Sequence, residues 1–251
     1  MTDEQRHTAH VMGMPISLAM RGRWAGTAVA ESAWENVLRW LREVDETFST
    51  YRPDSFVARL GRGEIVIADC PDTVAEVLEI AEQARSESRG AFDVWRAGER
   101  DTGWLDPSGV VKGWAVQRAA ASFAHLDDTD FCLAAGGDLV CVTRQDDAEP
   151  WRIGIEDPHD RSRVLALVPL RNGAVATSGL AHRGAHIVDP ATGGTPSELA
   201  SVTVVCEDLT WADVDATAAF VMGRRGVGWL VERGRTGVVV TADGVARTFG
   251  S

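Results

Sequence analysis

The sequence is short of positive charge and of long apolar runs. Its 251 residues include 25 Lys and Arg against 37 Asp and Glu, so the formal net charge is -12 at pH 7. A chain without a basic stripe has little with which to neutralise phosphates, which argues against nucleic acid or an anionic membrane surface as a partner. No stretch approaches the roughly 20 apolar residues that cross a bilayer. The sequence therefore predicts no transmembrane segment and no nucleic-acid partner.

Targeting signals and cysteine motifs are also missing. The N-terminal stretch MTDEQRHTAHVMGM has neither a basic segment followed by an apolar one nor a cysteine for lipid attachment, which favours a cytoplasmic location. The cysteines form no CxxC, and most lie in or beside apolar segments, so we interpret them as small hydrophobic residues rather than metal ligands or disulfide partners. They are Cys70, Cys132, Cys141 and Cys206.

The common nucleotide-binding loops are absent, because neither G-x-G-x-x-G nor G-x-x-x-x-G-K-[ST] occurs. There is also no internal repeat, low-complexity tract or charge block that would divide the chain. With 45% hydrophobic residues, the chain can bury a sizeable core. We therefore predict one domain over residues 11–251, preceded by a disordered tail of residues 1–10.

Apolar residues at helical spacing predict two amphipathic helices, within 31–48 and 71–88. Shorter helices are predicted at about 110–123, 212–222 and 226–234. The segments with strand character between Gly, Pro and Asp are PISLAM, EIVIA, FCLAA, DLVCVT, WRIGI, VLALVPL, AVATS, HIVD, SVTVVC, GVVVTA and VARTF. Because helices and strands do not alternate regularly, we predict an α+β fold with mixed or antiparallel sheets packed against helices, not a doubly wound parallel sheet.

One predicted helix, ADVDATAAFVMG (212–223), carries a carboxylate and a hydroxyl on the same face. Asp213 and Thr217 are four residues apart and lie one above the other on a helix, whereas Asp215 points away. Such oxygens suit a hard cation such as Mg²⁺, which keeps several waters and needs only one or two protein carboxylates. Taken alone, the segment leaves a second interpretation open, in which Asp213 or Asp215 caps the helix and Thr217 has no role.

A loop that leads into another predicted helix, LDPSGVVKGWAVQRAA (105–120), has features of an anion site. It places Asp106 before the turn, Gly109 inside it and Lys112 in the first helical turn. Backbone N–H groups at a helix start, with a lysine beside them, favour an anion. The alternative is an ordinary capped helix with a solvated Lys112.

Two further segments combine small, polar and aromatic residues. AVATSGLAHRGAHIVDPATGGTP (174–196) is typical of a chain that approaches a ligand closely, with His186 as a proton carrier or hydrogen-bond donor. A purely structural histidine is the alternative. AFDVW (91–95) is either a ligand contact or core beside a turn.

These segments occur in a specific order: YRPDSFVARL, LDPSGVVKGWAVQ, AVATSG...HIVDPATG and ADVDATAAFVMG, with AAGGDL and WRIGIEDP between them. The ordered set resembles the FAD:protein FMN transferase (ApbE, flavin transferase) family from about Val11 to Phe249. The resemblance implies a single compact ApbE-like (T-fold-like) domain. It also implies an enzyme that binds FAD with Mg²⁺, or with Mn²⁺ as the alternative metal, and transfers FMN through a phosphoester to a Thr or Ser hydroxyl of an acceptor protein, releasing AMP.

Matched position by position, the resemblance implies three metal ligands: the Asp213 carboxylate, the Thr217 hydroxyl and the Gly109 backbone carbonyl. The implied FAD contacts are Met12, Tyr51, Ala91, Phe92, Asp93, Asp106, Lys112 and Ile187. An acceptor hydroxyl benefits from a general base, for which His186 and Asp106 are the candidates, with His186 preferred.

The chain departs from the family in two respects. Members are commonly exported and lipid-anchored, whereas this sequence shows no export signal, which predicts an acceptor in the cytoplasm or on a cytoplasmic membrane face. The segment between Ser178 and His186 is shorter than usual, which bears on flavin affinity and acceptor choice. Two alternatives remain open: a Mg²⁺-dependent pyrophosphatase that uses water and releases FMN and AMP, and a non-catalytic flavin-binding or carrier protein. A structural protein without a ligand would leave the motifs unexplained.

Overall fold

The structure is a computed structural model that describes residues 4–95, 105–180 and 187–250. The strands in these ranges are β1 Gln5–Val11, β2 Met14–Gly22, β3 Thr129–Ala135, β4 Asp138–Val142, β5 Trp151–Glu156, β6 Val164–Leu170, β7 Gly173–Gly179, β8 Leu199–Cys206, β9 Thr236–Thr241 and β10 Ala246–Phe249. The α-helices are α1 Ala28–Phe48, α2 Phe56–Gly61, α3 Asp72–Glu87, α4 Ser108–Ala119, α5 Leu209–Met222 and α6 Arg224–Glu232. Short 3₁₀ turns occur at Ile67–Asp69 and Ala120–Phe123.

Eight of these strands form one sheet in the order β1-β2-β3-β4-β7-β8-β9-β10, and β5 and β6 form a separate hairpin. Every neighbouring pair of strands is antiparallel. Helices cover part of the large sheet, so the predicted α+β fold is confirmed, and the sheets are antiparallel.

The large sheet buries both of its faces. Side chains alternate between the faces along a strand, and in β4 this places Val140 in the core shared with the helices. Leu139 and Cys141 belong to a second cluster with Trp151 and Ile153 of the β5–β6 hairpin. The hairpin therefore covers the face of the sheet that the helices leave open, and one end of it borders the cleft described below.

Helix α5 is buried nearly all round because its residues are small and apolar on most sides. It packs against α4, and the two backbones approach closely at Gly113, where an added Cβ would lie 2.6 Å from the carbonyl oxygen of Leu209. Only glycine fits this crossing. The crossing places Gly113 of α4 against Leu209 and Asp213 of α5.

Replacing Gly113 with Ala is expected to destabilise the protein by about 2 kcal/mol, because the new methyl group meets the Leu209 carbonyl and, at 2.9 Å, the Asp213 Cβ. The backbone of α5 cannot move aside without separating the two helices. Gly228→Ala in α6 is the matched control, since nothing lies within 4 Å of its added Cβ and alanine has the higher helix propensity. Denaturant unfolding of both variants checks the prediction, and equal stabilities would contradict it.

The sequence predictions were wrong at three places. Residues 5–10 are not a disordered tail, because Gln5–Val11 pairs with β2 along its whole length. EIVIA forms no strand: Ile67–Asp69 is a 3₁₀ turn, and the Asp69 carboxylate accepts a hydrogen bond from the Val66 backbone N–H at 3.1 Å. Such local side-chain bonds compete with strand pairing.

HIVD is not a strand over its described residues, 187–189. Asp189 instead organises a turn, because its carboxylate accepts from the Ala191 N–H and its carbonyl accepts from the Gly193 N–H, at 2.9 and 2.8 Å. His186 lies outside the described residues.

Within the described ranges, no helix has the length and apolar character needed to cross a membrane. The cytoplasmic location remains a prediction.

Candidate active site

A cleft of about 330 Å³ opens between the first turn of α4, the middle of α5, the ends of β4 and β7, and the β5 strand. Its lining includes many of the residues that the sequence predicts as functional: Ala91, Phe92, Asp93, Asp106, Gly109, Lys112, Ile187, Asp213 and Thr217. The fold thus brings together segments that are up to about half the chain apart. Polar groups meet at one part of the cleft, beside α5.

Asp213 is a deeply buried charged residue of this polar cluster, with 2% of its surface exposed. Its Oδ2 accepts a hydrogen bond from the Gly113 backbone N–H at 3.0 Å, and its Oδ1 lies 3.3 Å from the Lys112 ammonium. Burial disfavours the charged carboxylate and raises the pKa of Asp213 to about 7, while the Lys112 charge acts in the opposite direction. A cation at this carboxylate would offset that burial.

Asp213 does not cap α5, because that position belongs to Asp208, whose carboxylate accepts from the Trp211 N–H at 3.1 Å. The capping interpretation is therefore wrong for Asp213 and for Asp215. Thr217, one turn further along α5, has its hydroxyl 2.8 Å from the Ser178 hydroxyl of β7. Both hydroxyl-bearing residues line the cleft.

The start of α4 completes the oxygen-rich side of the cleft. Gly109 lines the cleft together with Asp213, whose carboxylate accepts the N–H of Gly113, one helical turn after Gly109. Gly109 has no side chain here because an added Cβ would lie 3.1 Å from the Phe92 ring. The Asp106 carboxylate accepts from the N–H of Ser108, the first residue of this helix, at 3.0 Å, and Asp106 also lines the cleft.

Lys112 is not the solvated lysine of the alternative interpretation. Its side chain is 20% exposed and its ammonium contacts the carboxylates of Asp138 and Asp213. From the second turn of α4 its amine reaches the cleft, where it adds positive charge near the helix N-terminus. A negatively charged ligand would therefore find a cation here although the protein as a whole is acidic.

Asp138 is a site residue that the sequence did not predict. It begins β4 directly after the Gly136-Gly137 turn, whose φ angles of 58° and 106° favour glycine. Only 1% of its surface is exposed. Its Oδ1 accepts from the Thr177 backbone N–H at 2.9 Å and its Oδ2 contacts the Lys112 ammonium. A Gly-Gly pair between two apolar strands signals the hairpin, but no local signal pairs this aspartate with Lys112.

Two of the predicted FAD contacts, Met12 and Tyr51, do not line the cleft. Met12 forms the β1–β2 turn with φ of 54° and packs against the helical core. Tyr51, in the loop after α1, is 96% exposed. Their contact with FAD remains a prediction, as does the role of His186, which lies outside the described residues.

Asp215 lies two residues after Asp213 and faces the other side of α5, as predicted. It is buried, its Oδ2 accepts from Arg235 Nε at 2.7 Å, and its Oδ1 lies 3.1 Å from Arg233 Nε. Arg233 also pairs with Glu87 at the end of α3, at 2.8 Å. Asp215 thus ties α5 to the residues that follow α6, and its role is structural.

The donor set beside α5 fits a hard divalent cation. It offers one carboxylate, one hydroxyl and one backbone carbonyl, all of them oxygen, and Mg²⁺ usually takes one or two carboxylates and retains waters. The described residues that line the cleft include aspartates, serines and threonines and neither His nor Cys, and oxygen is the donor that hard cations prefer.

Comparison with known proteins identifies similar sequences. The family model described as "ApbE family" matches residues 12–102 and 95–241. A Haemophilus influenzae protein named FAD:protein FMN transferase is 26% identical over 78% of this chain and 74% of its own length. A Vibrio cholerae protein of the same name is 27% identical over 79% of this chain and 75% of its own.

Solved structures share the fold. The ApbE protein from Thermotoga maritima has a TM-score of 0.82 at 22% identity, and the alignment covers 98% of this chain and 96% of that one. The flavin transferase ApbE from Vibrio cholerae also has a TM-score of 0.82, at 23% identity, over 99% and 97% of the two chains. These matches extend over nearly the whole chain, so the fold is that of the ApbE proteins.

Proposed function

The chain belongs to the ApbE family, and from that premise we propose that it is a Mg²⁺-dependent FAD:protein FMN transferase. It would cleave FAD and attach FMN through a phosphoester to a Thr or Ser hydroxyl of an acceptor protein, with release of AMP. The observation that carries this proposal is the buried Asp213 carboxylate, which shares a cleft with the Thr217 hydroxyl and the Lys112 ammonium. Relatives named FAD:protein FMN transferase support the reaction.

In this proposal, the cation is held by the Asp213 carboxylate, the Thr217 hydroxyl and the Gly109 carbonyl. Bound there, Mg²⁺, or Mn²⁺ in its place, would supply Lewis-acid polarisation of the pyrophosphate and neutralise charge on the departing AMP. Asp213 provides the charge of the site. Its buried position is consistent with this role, because a buried carboxylate without a cation remains poorly compensated.

Ser178 would orient the hydroxyl of Thr217. Their oxygens are 2.8 Å apart, and either one can donate. If Thr217 donates its proton to Ser178, the lone pairs of the Thr217 oxygen point away from that bond and are available to a cation. The pairing of the two hydroxyls therefore supports Thr217 as a ligand.

Lys112 and the start of α4 would hold the anionic part of FAD. The ammonium and the helix N-terminus both attract negative charge, which an acidic protein needs in order to bind a pyrophosphate. Asp106 and the Ala91-Phe92-Asp93 stretch line the same cleft and are proposed to contact FAD, together with Ile187. Met12 and Tyr51 are retained as proposed contacts from the family resemblance.

The chemical step transfers the FMN phosphoryl group between two oxygens. The acceptor hydroxyl oxygen forms a bond to the FMN phosphorus, the bond from that phosphorus to the bridging oxygen breaks, and AMP leaves with the bridging oxygen. The hydroxyl proton passes to a general base, for which we propose His186 in preference to Asp106.

His186→Ala is expected to lower the rate of FMN transfer by about a hundredfold or more, because a positioned general base typically contributes that much. FAD affinity should change far less, since the imidazole is proposed to take the proton of the acceptor hydroxyl and not to bind FAD. Single-turnover AMP release and FAD titration by flavin fluorescence separate the two quantities. Equal losses in rate and affinity would assign His186 to FAD binding instead.

The function is tested by incubating the purified protein with FAD and Mg²⁺, with and without EDTA, and with a peptide that bears a flavinylation threonine. An EDTA-sensitive mass increase of the peptide by one FMN, together with AMP release, is expected. The matched control is the same peptide with its threonine replaced by alanine. Free FMN and AMP without peptide modification would indicate a pyrophosphatase, and tight FAD binding without AMP release would indicate a flavin-binding protein.

A further inference from the structure

Lys112 lies between two buried carboxylates, and only one of them is a proposed metal ligand. Its ammonium is 3.3 Å from Asp213 Oδ1 and in closer contact with Asp138 Oδ2. The side chains of the two aspartates are 3% and 2% exposed. Asp213 Oδ2 already accepts the Gly113 N–H, so Oδ1 is the oxygen for which the ammonium and a divalent cation would compete.

Asp138 is fixed more firmly than Lys112. It begins β4, and its Oδ1 accepts the Thr177 N–H of the neighbouring strand β7 at 2.9 Å. Its position is therefore set by the large sheet. Lys112, in contrast, carries its charge on a flexible four-carbon stem, so the location of the ammonium depends on which carboxylates surround it. Without the charge of Asp138, the ammonium would still have Asp213 beside it, at 3.3 Å from Oδ1.

We propose that Asp138 is a positioning residue that draws the Lys112 ammonium toward β4 and so keeps Asp213 Oδ1 open to the cation. The proposal rests on the metal site of the proposed function, and it adds a residue outside the proposed ligands. Asp138 acts through Lys112. It also keeps the ammonium in the cleft, where it can meet the anionic part of the substrate once the cation occupies Asp213.

The test is a double-mutant cycle on Mn²⁺ binding by the full chain without FAD, measured by electron paramagnetic resonance of free Mn²⁺. Asp138→Asn removes the charge but leaves an oxygen to accept the Thr177 N–H. It is expected to raise the Kd for Mn²⁺ by about tenfold, the lower range for loss of a partner that orients a metal site. Lys112→Met alone should lower the Kd, because the competing ammonium is gone.

In the Lys112→Met background, Asp138→Asn should raise the Kd for Mn²⁺ by a factor at least about five times smaller than in the wild-type background. This difference exceeds the roughly twofold scatter expected when two substitutions act independently. Asp127→Asn is the control for net charge, because it removes one negative charge away from the cleft. Asp127 is exposed and precedes β3, whereas the Gly136-Gly137 turn follows the other end of that strand. It should leave the Kd unchanged. Equal effects of Asp138→Asn in both backgrounds would overturn the proposal and indicate that Asp138 acts as a ligand or as a simple charge.

The same measurement separates this inference from the proposed function. If wild-type protein binds no Mn²⁺, or if Asp213→Asn binds it equally well, the metal site itself is contradicted. If binding depends on Asp213 but not on Asp138, only the positioning role is overturned. Should Asp138→Asn fail to fold, Lys112→Met alone still decides, because unchanged or weaker Mn²⁺ binding in that variant would contradict competition for Asp213.

Discussion

Asp213→Asn is expected to reduce FMN transfer on the order of a thousandfold, the scale on which loss of a principal electrostatic group lowers kcat. Asparagine has nearly the same shape as aspartate and can still accept the Gly113 N–H that Oδ2 accepts now. What it loses is the negative charge, the only one among the three proposed ligands, so Mg²⁺ would be left with neutral oxygens. Transfer is measured by the mass of the acceptor and by AMP release.

The loss of activity should not be accompanied by a loss of stability. Burial raises the pKa of Asp213 to about 7, well above the ordinary value for an aspartate. An acid whose pKa is higher in the folded than in the unfolded state stabilises the folded protein at pH values below the unfolded pKa. This stabilisation is lost as the pH rises through the folded pKa. Without a metal, the carboxylate is therefore least favourable above pH 7, and a shift of this size corresponds to a few kcal/mol.

Thermal unfolding in EDTA at pH 5 and pH 8 tests this consequence. Asp213→Asn should gain more stability relative to the wild type at pH 8 than at pH 5, because the folded wild type carries the buried ionised group only at the higher pH. Mg²⁺ should raise the melting temperature of the wild type and not that of the variant. A variant that is inactive because it is misfolded would show the opposite result, a lower melting temperature at both values of pH.

The polar cluster beside α5 was predictable from sequence only where local geometry decides it. Helical spacing alone places Asp213 and Thr217 on one face of α5 and Asp215 on the other, and the structure confirms both placements. Asp138 was not predictable in this way. Its contact with Lys112 depends on how the β3–β4 hairpin pairs with its neighbours and on how α4 lies over the sheet, and neither is encoded near either residue.

The same distinction explains the errors in the fold. Strand β1 is polar and alternates only weakly, so it is stabilised by its register with β2 rather than by its own sequence. EIVIA has β-branched residues but pairs with no strand within the described ranges, and the Asp69 side chain closes a local turn instead. Burial on both faces of the large sheet likewise depends on the β5–β6 hairpin, which packs against residues as distant along the chain as Val238 and Val240 of β9.

Asp215→Asn is expected to destabilise the protein by about 3 kcal/mol, because breaking a buried ion pair from one side leaves the partner charges uncompensated. Those partners are Arg233 and Arg235, at 3.1 and 2.7 Å, with side chains 19% and 22% exposed. Activity per folded molecule should be close to that of the wild type, since Asp215 faces away from the cleft. Urea unfolding and transfer assays at a temperature where the variant remains folded measure the two effects.

Asp213→Asn is the matched control for this variant, because it makes the same chemical change two residues away on the same buried helix. One substitution should remove activity and spare stability, and the other should do the reverse. The reason is what each carboxylate faces: Asp215 has two guanidinium groups fixed by the protein, whereas Asp213 has one amine shared with Asp138. If both variants lost stability equally, the charge of Asp213 would be part of the protein's own ion pairing, and the reason to assign it to a cation would be lost.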